Sequence, residues 1–285
     1  MTRVIIGVDE SDGAAAALRW GVAQAARRHE PVTALMAYTF RDQHHPDPNT
    51  PFELGYGYHE ARRDLATIVE RALEGRTVDI ELRPVCGNAA DALIDASAEA
   101  SLVVVGARGM GGFKGLLIGS VSREVLHRSH APVAVVPEPA VEVDGPVVVG
   151  IDGSPTSRLA LSWALDEARA RGTTLVALHA WNITVVGDAY GFAHLAADAL
   201  REGGERLLER ELSLVDTTGV EVERRLVEGL PAAALVEASA TAALVVVGSR
   251  GHRPLTGLLL GSVSDQVSHH AHSPVVVVPP SAAGS

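Results

Sequence analysis

The chain has 285 residues, 47% of them hydrophobic and 21% charged, with a formal net charge of −11. That length supports two cores of ordinary size, and the acidic balance, without any basic run, argues against nucleic acid or an anionic membrane as a partner. A single cysteine, Cys86, excludes an intrachain disulfide or a cysteine metal cluster and is expected to be a small buried apolar residue.

In chain order, "VIIGVDES" (4–11) predicts a strand over 3–8 that runs into Asp9. A helix over 12–29 follows, capped by Ser11, and then a strand over 32–38. The polar, proline-rich "RDQHHPDPNTPFELGYG", with His44 and His45, reads as a loop beside the site and a candidate lid. Helices are expected at 58–74, 88–98 and 120–129, with strands at 78–85, 101–105 and 132–136. Continuous apolar strands separated by helices indicate a parallel sheet covered on both faces. The apolar runs are strand-sized, and the N-terminus enters a strand without the pattern of a signal peptide, so a cytoplasmic protein without a membrane span is expected.

The series then repeats. "VIIGVDES" recurs as "VVVGIDGS" (147–154), Trp20 as Trp163, and "PVAVVP" (132–137) as "PVVVVP" (274–279). Residues 103–122, "VVVGARGMGGFKGLLIGSVS", and 245–264, "VVVGSRGHRPLTGLLLGSVS", agree at 13 of 20 positions. Repetition at nearly constant offset over a whole domain means tandem duplication. The Pro-containing acidic segment around 137–146 separates the copies, giving domains 1–138 and 146–285 joined by a linker at 139–145. In the second copy Ser154 and Pro155 mark the start of the first helix.

Each glycine stretch has the spacing Gly106, Gly109, Gly119, Ser120 or Gly248, Gly251, Gly261, Ser262. The first glycine ends a buried strand and the last opens a helix, whose N-terminus presents unpaired N–H groups that favour phosphate. Ser120, Ser122, Ser262 and Ser264 are hydroxyl donors in the same place. With strand order 3-2-1-4-5, the switch point lies between strands 1 and 4, next to Asp9 or Asp152. A mere turn is the alternative for one such loop, and its repetition beside an aspartate in both copies favours binding. A P-loop is excluded because no lysine precedes Ser120 or Ser262, and Lys114 stands where a dinucleotide fingerprint needs its third glycine. Arg108 and Arg250 either approach phosphate or face solvent. His127 and His130, repeated as His269 and His272, read as residues at helix C-termini rather than a metal pair, and Trp20 and Trp163 read as packing residues.

Taken together, these motifs resemble tandem universal stress proteins of the nucleotide-binding branch, over both halves of the chain. The resemblance implies two α/β domains, each a doubly wound, open, parallel five-stranded sheet of the adenine α-hydrolase-like type, with strand order 3-2-1-4-5. It implies ATP as ligand, with Asp9 and Asp152 reaching the ribose or a phosphate-bound cation such as Mg²⁺. The glycines with Ser120, Val121, Ser122, Ser262, Val263 and Ser264 would hold the phosphates. Ala37 and Ala180 match the position whose backbone reads the adenine edge, and Val8 and Ile151 would line the pocket. Gly111-Gly112 in one copy against Arg253-Pro254 in the other allows different affinities. The reading that follows is a nucleotide-dependent stress regulator with one site per domain, rather than an enzyme, with a slow Mg-dependent ATPase or a cyclic-AMP-binding protein as alternatives. In that strand order the valine-rich last strand of each copy lies at a sheet edge, and an apolar edge is normally covered or paired, so strand 132–136 is expected to pair with strand 274–278 in an internal pseudo-dimer of the type the resemblance implies, with any further homodimer using another surface.

Overall fold

In a computed structural model of the protein, the described residues are 2–39, 57–109, 118–139, 144–182, 190–251 and 260–280. The chain divides into two compact units, residues 1–140 and 141–285.

The first unit runs β1 (Arg3–Gly7), α1 (Asp12–Arg28), β2 (Val32–Tyr38), α2 (Tyr58–Ala72), β3 (Ile80–Cys86), α3 (Ala89–Ala96), β4 (Ala100–Gly106), α4 (Ser120–Arg128) and β5 (Val133–Val136). Its strands are all parallel in the order β3-β2-β1-β4-β5. The second unit repeats the series as β6 (Val147–Gly150), α5 (Pro155–Arg171), β7 (Leu175–Trp181), α6 (Tyr190–Ser213), β8 (Val222–Glu228), α7 (Pro231–Ser239), β9 (Leu244–Gly248), α8 (Ser262–His270) and β10 (Val275–Val278). Its order is β8-β7-β6-β9-β10, again parallel throughout. The strand order expected from the resemblance is therefore found in both units.

The central strands are apolar because helices cover both of their faces. Val4, Ile5 and Ile6 of β1 and Leu102, Val103 and Val104 of β4 are fully buried, as are Val147, Val149 and Val246 in the second unit. The helix starts follow local chemistry: the Ser11 and Ser154 side chains accept N–H groups of the first turns of α1 and α5, and Asn88 does so for α3. Several ends differ from expectation by a residue or two. Helix α3 begins after Asn88, because that residue is its cap, and α2 stops at Ala72, ahead of Glu74 at φ 53°. Cys86 is a correction: it is exposed rather than buried. It is the last residue of β3, which lies at the outer end of the strand order, where only one neighbouring strand covers it.

A feature in each unit bears directly on stability. Helix α1 ends with His29 in the left-handed region (φ 54°), its N–H bonded to the Ala25 and Ala26 carbonyls, while Gly172 makes the same turn after α5 (φ 64°). A side chain is strained there and glycine is not. In the second unit, the buried Glu211 carboxylate joins α6 to α5: it accepts Nε–H of Arg158 at 2.7 Å, Nη2–H of Arg158 at 3.2 Å and Nη2–H of Arg210 at 2.8 Å.

Two outcomes are expected. His29→Gly stabilises the first domain by about 0.5–1 kcal/mol in denaturant unfolding, since the relief of left-handed strain exceeds the added entropy of the unfolded chain. The Arg158 guanidinium holds the Glu211 carboxyl below its ordinary value of 4.5. A depressed folded value means stability that is present above the unfolded value and lost as pH falls through the folded one. Glu211→Gln therefore costs about 1–3 kcal/mol at pH 7 and flattens the acid limb of a stability profile below pH 4.5, whereas an unchanged acid limb rules out this role.

Candidate functional site

The site of the first unit forms where β1 and β4 lie side by side and the chain leaves them in opposite directions, the switch point of a doubly wound sheet. Val8 and Asp9 follow β1, while Gly106, Arg108 and Gly109 end β4 and begin the glycine loop. The loop returns to the sheet at Gly119, whose N–H donates to the Ala107 carbonyl at 2.7 Å, closing the stem just before α4. Between these elements lies a cavity of about 440 Å³. All ten residues expected for the first site line it: Val8, Asp9, Ala37, Gly106, Arg108, Gly109, Gly119, Ser120, Val121 and Ser122.

The glycine spacing has a cause in the protein's own packing. A Cβ on Gly106 would stand 2.6 Å from the backbone carbon and oxygen of Gly13, so this glycine lets the start of α1 press against the end of β4. A Cβ on Gly109 would stand 2.6 Å from Oδ2 of Asp9, so the second glycine seats the carboxylate. The second unit repeats both contacts, with Thr156 backbone 2.8 Å from a Cβ on Gly248 and Asp152 Oδ2 2.6 Å from a Cβ on Gly251. Its stem closes identically, Gly261 N–H donating to Ser249 carbonyl at 2.7 Å.

Oδ1 of each aspartate is held by the turn that follows it. Ser11 N–H donates to Asp9 at 3.0 Å and Ser154 N–H to Asp152 at 2.9 Å. At the other side of the cavity, α4 begins from Gly119, an extended residue with no side chain to cap the first turn, and α8 begins from Gly261 in the same way. These first turns therefore direct N–H groups and a partial positive charge outward, an arrangement suited to an anion.

Not every expected hydroxyl donor is free for a ligand. Ser120 and Ser262 are exposed at the helix starts, but Ser122 is buried and donates its hydroxyl to the Gly106 carbonyl at 2.7 Å. Ser264 likewise turns inward, to Ser249 carbonyl at 3.1 Å and Gly261 carbonyl at 2.9 Å. A hydroxyl has one proton to give, so these two serines fasten the helix start to the strand end rather than serve as free phosphate donors. Arg108 and Arg250 are exposed beside the stem. Ile151 and Asp152 follow β6, Ala180 lies near the end of β7, and Gly248, Arg250, Gly251, Gly261, Ser262, Val263 and Ser264 flank the second loop. Residues 110–117 and 252–259, with Gly111, Gly112, Lys114, Arg253, Pro254 and Thr256, lie outside the described residues, as do His44 and His45.

Ala14, Leu35, Ala89 and Leu93 also line the cavity, and the sequence offers no mark for them. They come from α1, β2 and α3 and read as ordinary packing residues until the elements assemble. The histidines expected at helix ends are there: His127 and His269 occupy the last turns of α4 and α8, and the N–H groups of His130 and His272 donate to the Ser97 and Ser239 hydroxyls at 2.9 Å. No group of three or more metal-ligating side chains occurs among the described residues. Trp20 is buried on α1, and Trp163 is half-buried on α5.

The model of the Universal stress protein family matches residues 1–137 and 145–279. A universal stress protein of Mycobacterium tuberculosis (strain H37Rv) is 39% identical over 285 residues, covering 96% of both chains. One from Mycolicibacterium smegmatis is 37% identical over 291 residues, covering 97% of both. Among solved structures, a universal stress protein from Archaeoglobus fulgidus is similar in fold, with a TM-score of 0.65 at 22% identity and 98% coverage of both chains.

The two glycines of the first loop should respond differently to a methyl group. Gly106→Ala meets backbone that cannot turn aside and is expected to cost about 1–3 kcal/mol in unfolding of the first domain. Gly109→Ala meets only the end of the Asp9 side chain, which can swing away, and should cost about 0.5–1 kcal/mol while displacing the carboxylate. Denaturant unfolding of both variants is the check, and equal losses would contradict the assignment of separate roles.

Proposed function

The chain belongs to the universal stress protein family, and from that premise we propose that each domain binds one adenine nucleotide, ATP, and that occupancy makes the protein a regulator in the stress response. The observation that carries this reading is the first-unit cavity, lined by Asp9 on one side and by the glycine-loop stem and the α4 start on the other. Its volume of about 440 Å³ falls within the range of small-molecule sites, roughly 300–1,000 Å³.

The residues fit such a ligand in kind as well as in size. The uncapped first turn of α4, with Gly109 and Gly119 lacking side chains, is a cradle in which phosphate oxygens can approach backbone N–H groups. Asp9 is an acceptor suited to a ribose hydroxyl or to a hydrated Mg²⁺ beside the phosphates. Ala37, small and near the end of β2, leaves room for a base against backbone, and Val8 adds an apolar wall. The second domain supports a second site through the same stem closure and the same seating of Asp152 on Gly251. A regulator must differ between its occupied and empty forms by the ligand's differential interaction with them. Here a nucleotide would join groups following β1 to the loop after β4 and the start of α4. No described helix is long and apolar enough to cross a membrane.

Equilibrium titration of the full chain with ATP should saturate near two equivalents, and mass spectrometry of denatured, freshly purified protein should release ATP. Saturation at one equivalent would reduce one domain to a scaffold. Steady turnover in the presence of Mg²⁺ would move the assignment to a slow ATPase, and preferential retention of cyclic AMP would move it to a receptor for that ligand.

A further inference from the structure

Four residues beyond the site aspartate the domains differ: Gly13 in the first, Thr156 in the second. In the first domain the Ser11 hydroxyl donates to Oδ1 of Asp9, the oxygen that also accepts Ser11 N–H, and it receives the Ala14 N–H at 3.1 Å as the helix cap. The Arg108 carbonyl stands farther off, at 3.5 Å from Ser11 Oγ, and packs on Gly13, where a Cβ would come within 2.4 Å of it. In the second domain the Thr156 hydroxyl donates to the Arg250 carbonyl. Ser154 Oγ lies 3.2 Å from Thr156 Oγ1, receives the Ser157 N–H at 3.2 Å, and makes no hydrogen bond to Asp152 among the described residues. With the Thr156 proton on Arg250, the acceptors within reach of the Ser154 hydroxyl are Thr156 Oγ1 at 3.2 Å and the Arg250 carbonyl at 3.5 Å, and neither belongs to Asp152. Asp152 is left with the Ser154 N–H alone among those residues. Both carboxylates nonetheless face the same way, with Oδ2 at 2.6 Å from a Cβ on Gly109 or Gly251. Their orientation is common and their spare acceptor capacity is not.

We propose that this position makes the two nucleotide sites unequal: Thr156 draws the cap hydroxyl away from Asp152 and leaves it the stronger acceptor, whereas Gly13 leaves Ser11 bonded to Asp9 and makes the first site the weaker one. The inference rests on the nucleotide reading above. A carboxylate offers about four lone-pair positions, and each donor already bound takes one and draws off negative charge that a ribose hydroxyl or hydrated cation would otherwise meet. One such hydrogen bond changes affinity by about three- to tenfold. Thr156 is thus a positioning residue that acts through Ser154.

The test is titration of the full chain with ATP and Mg²⁺, followed through the backbone amide resonances of Gly109 and Gly251, which report the two sites separately. The second site is expected to bind about three- to tenfold more tightly. Thr156→Val keeps the side-chain shape, frees the Ser154 hydroxyl to turn onto Asp152, and should weaken the second site by that factor, while Thr156→Ser should preserve it. Adding Ser154→Ala to Thr156→Val should restore the affinity, because no hydroxyl remains to occupy the carboxylate. Ser11→Ala should tighten the first site although losing the cap lowers the melting temperature, and a purely structural role would not raise affinity. Sites of equal affinity, a Ser11→Ala variant that binds no better, or a Thr156→Val loss that Ser154→Ala fails to restore would each overturn the inference while leaving the nucleotide reading intact. No response to ATP at either amide would overturn the nucleotide reading and this inference with it.

Discussion

The contact between the end of β4 and the first turn of α1 governs the geometry of the first site. Gly106 has no Cβ, and the backbone of Gly13 occupies the space one would need. With that approach the loop leaving β4 passes beside Asp9, close enough that a Cβ on Gly109 would displace the carboxylate. The Ser122 hydroxyl on the Gly106 carbonyl and the Gly119 N–H on the Ala107 carbonyl then draw the start of α4 to the same strand end. Strand, loop and two helix starts are thereby fixed around one cavity by van der Waals exclusion and a few hydrogen bonds. Such close packing leaves little freedom for the carboxylate and the helix start to separate.

Duplication has kept this frame and altered what surrounds it. Gly248, Gly251 and Gly261 repeat the close approaches and the stem closure, and Ser264 repeats the inward hydroxyl. The changes are small in sequence and definite in hydrogen bonding. Thr156 adds a hydroxyl that the Arg250 carbonyl accepts where Gly13 has none to offer, and the Asn88 side chain caps α3 where Leu230 leaves α7 without one. The second domain also fastens its long α6 to α5 through the buried Glu211, which two arginines satisfy. A buried carboxylate is tolerated there because its lone pairs are met by charged donors whose outer parts remain in water.

The sequence determined a good deal by itself: apolar runs bounded by turn residues fixed the strands, Ser11, Ser154 and Pro155 marked helix starts, and repetition at nearly constant offset revealed two domains. The glycine spacing and the aspartate after the first strand marked residues that line the first-unit cavity, because close approach and acceptor chemistry restrict which residues those positions accept. Tertiary structure alone decided what each group does. Ala14, Leu35, Ala89 and Leu93 reach the cavity from three different elements, and nothing local distinguishes them from core. Ser122 and Ser264 look like phosphate donors in the linear motif, but burial behind the strand end commits their single protons to carbonyls. Cys86 looks apolar by type and is exposed because its strand lies at the outer end of the order. Where a hydroxyl's one proton goes depends on which acceptors the fold brings within about 3 Å, a fact of three dimensions that spacing along the chain does not contain.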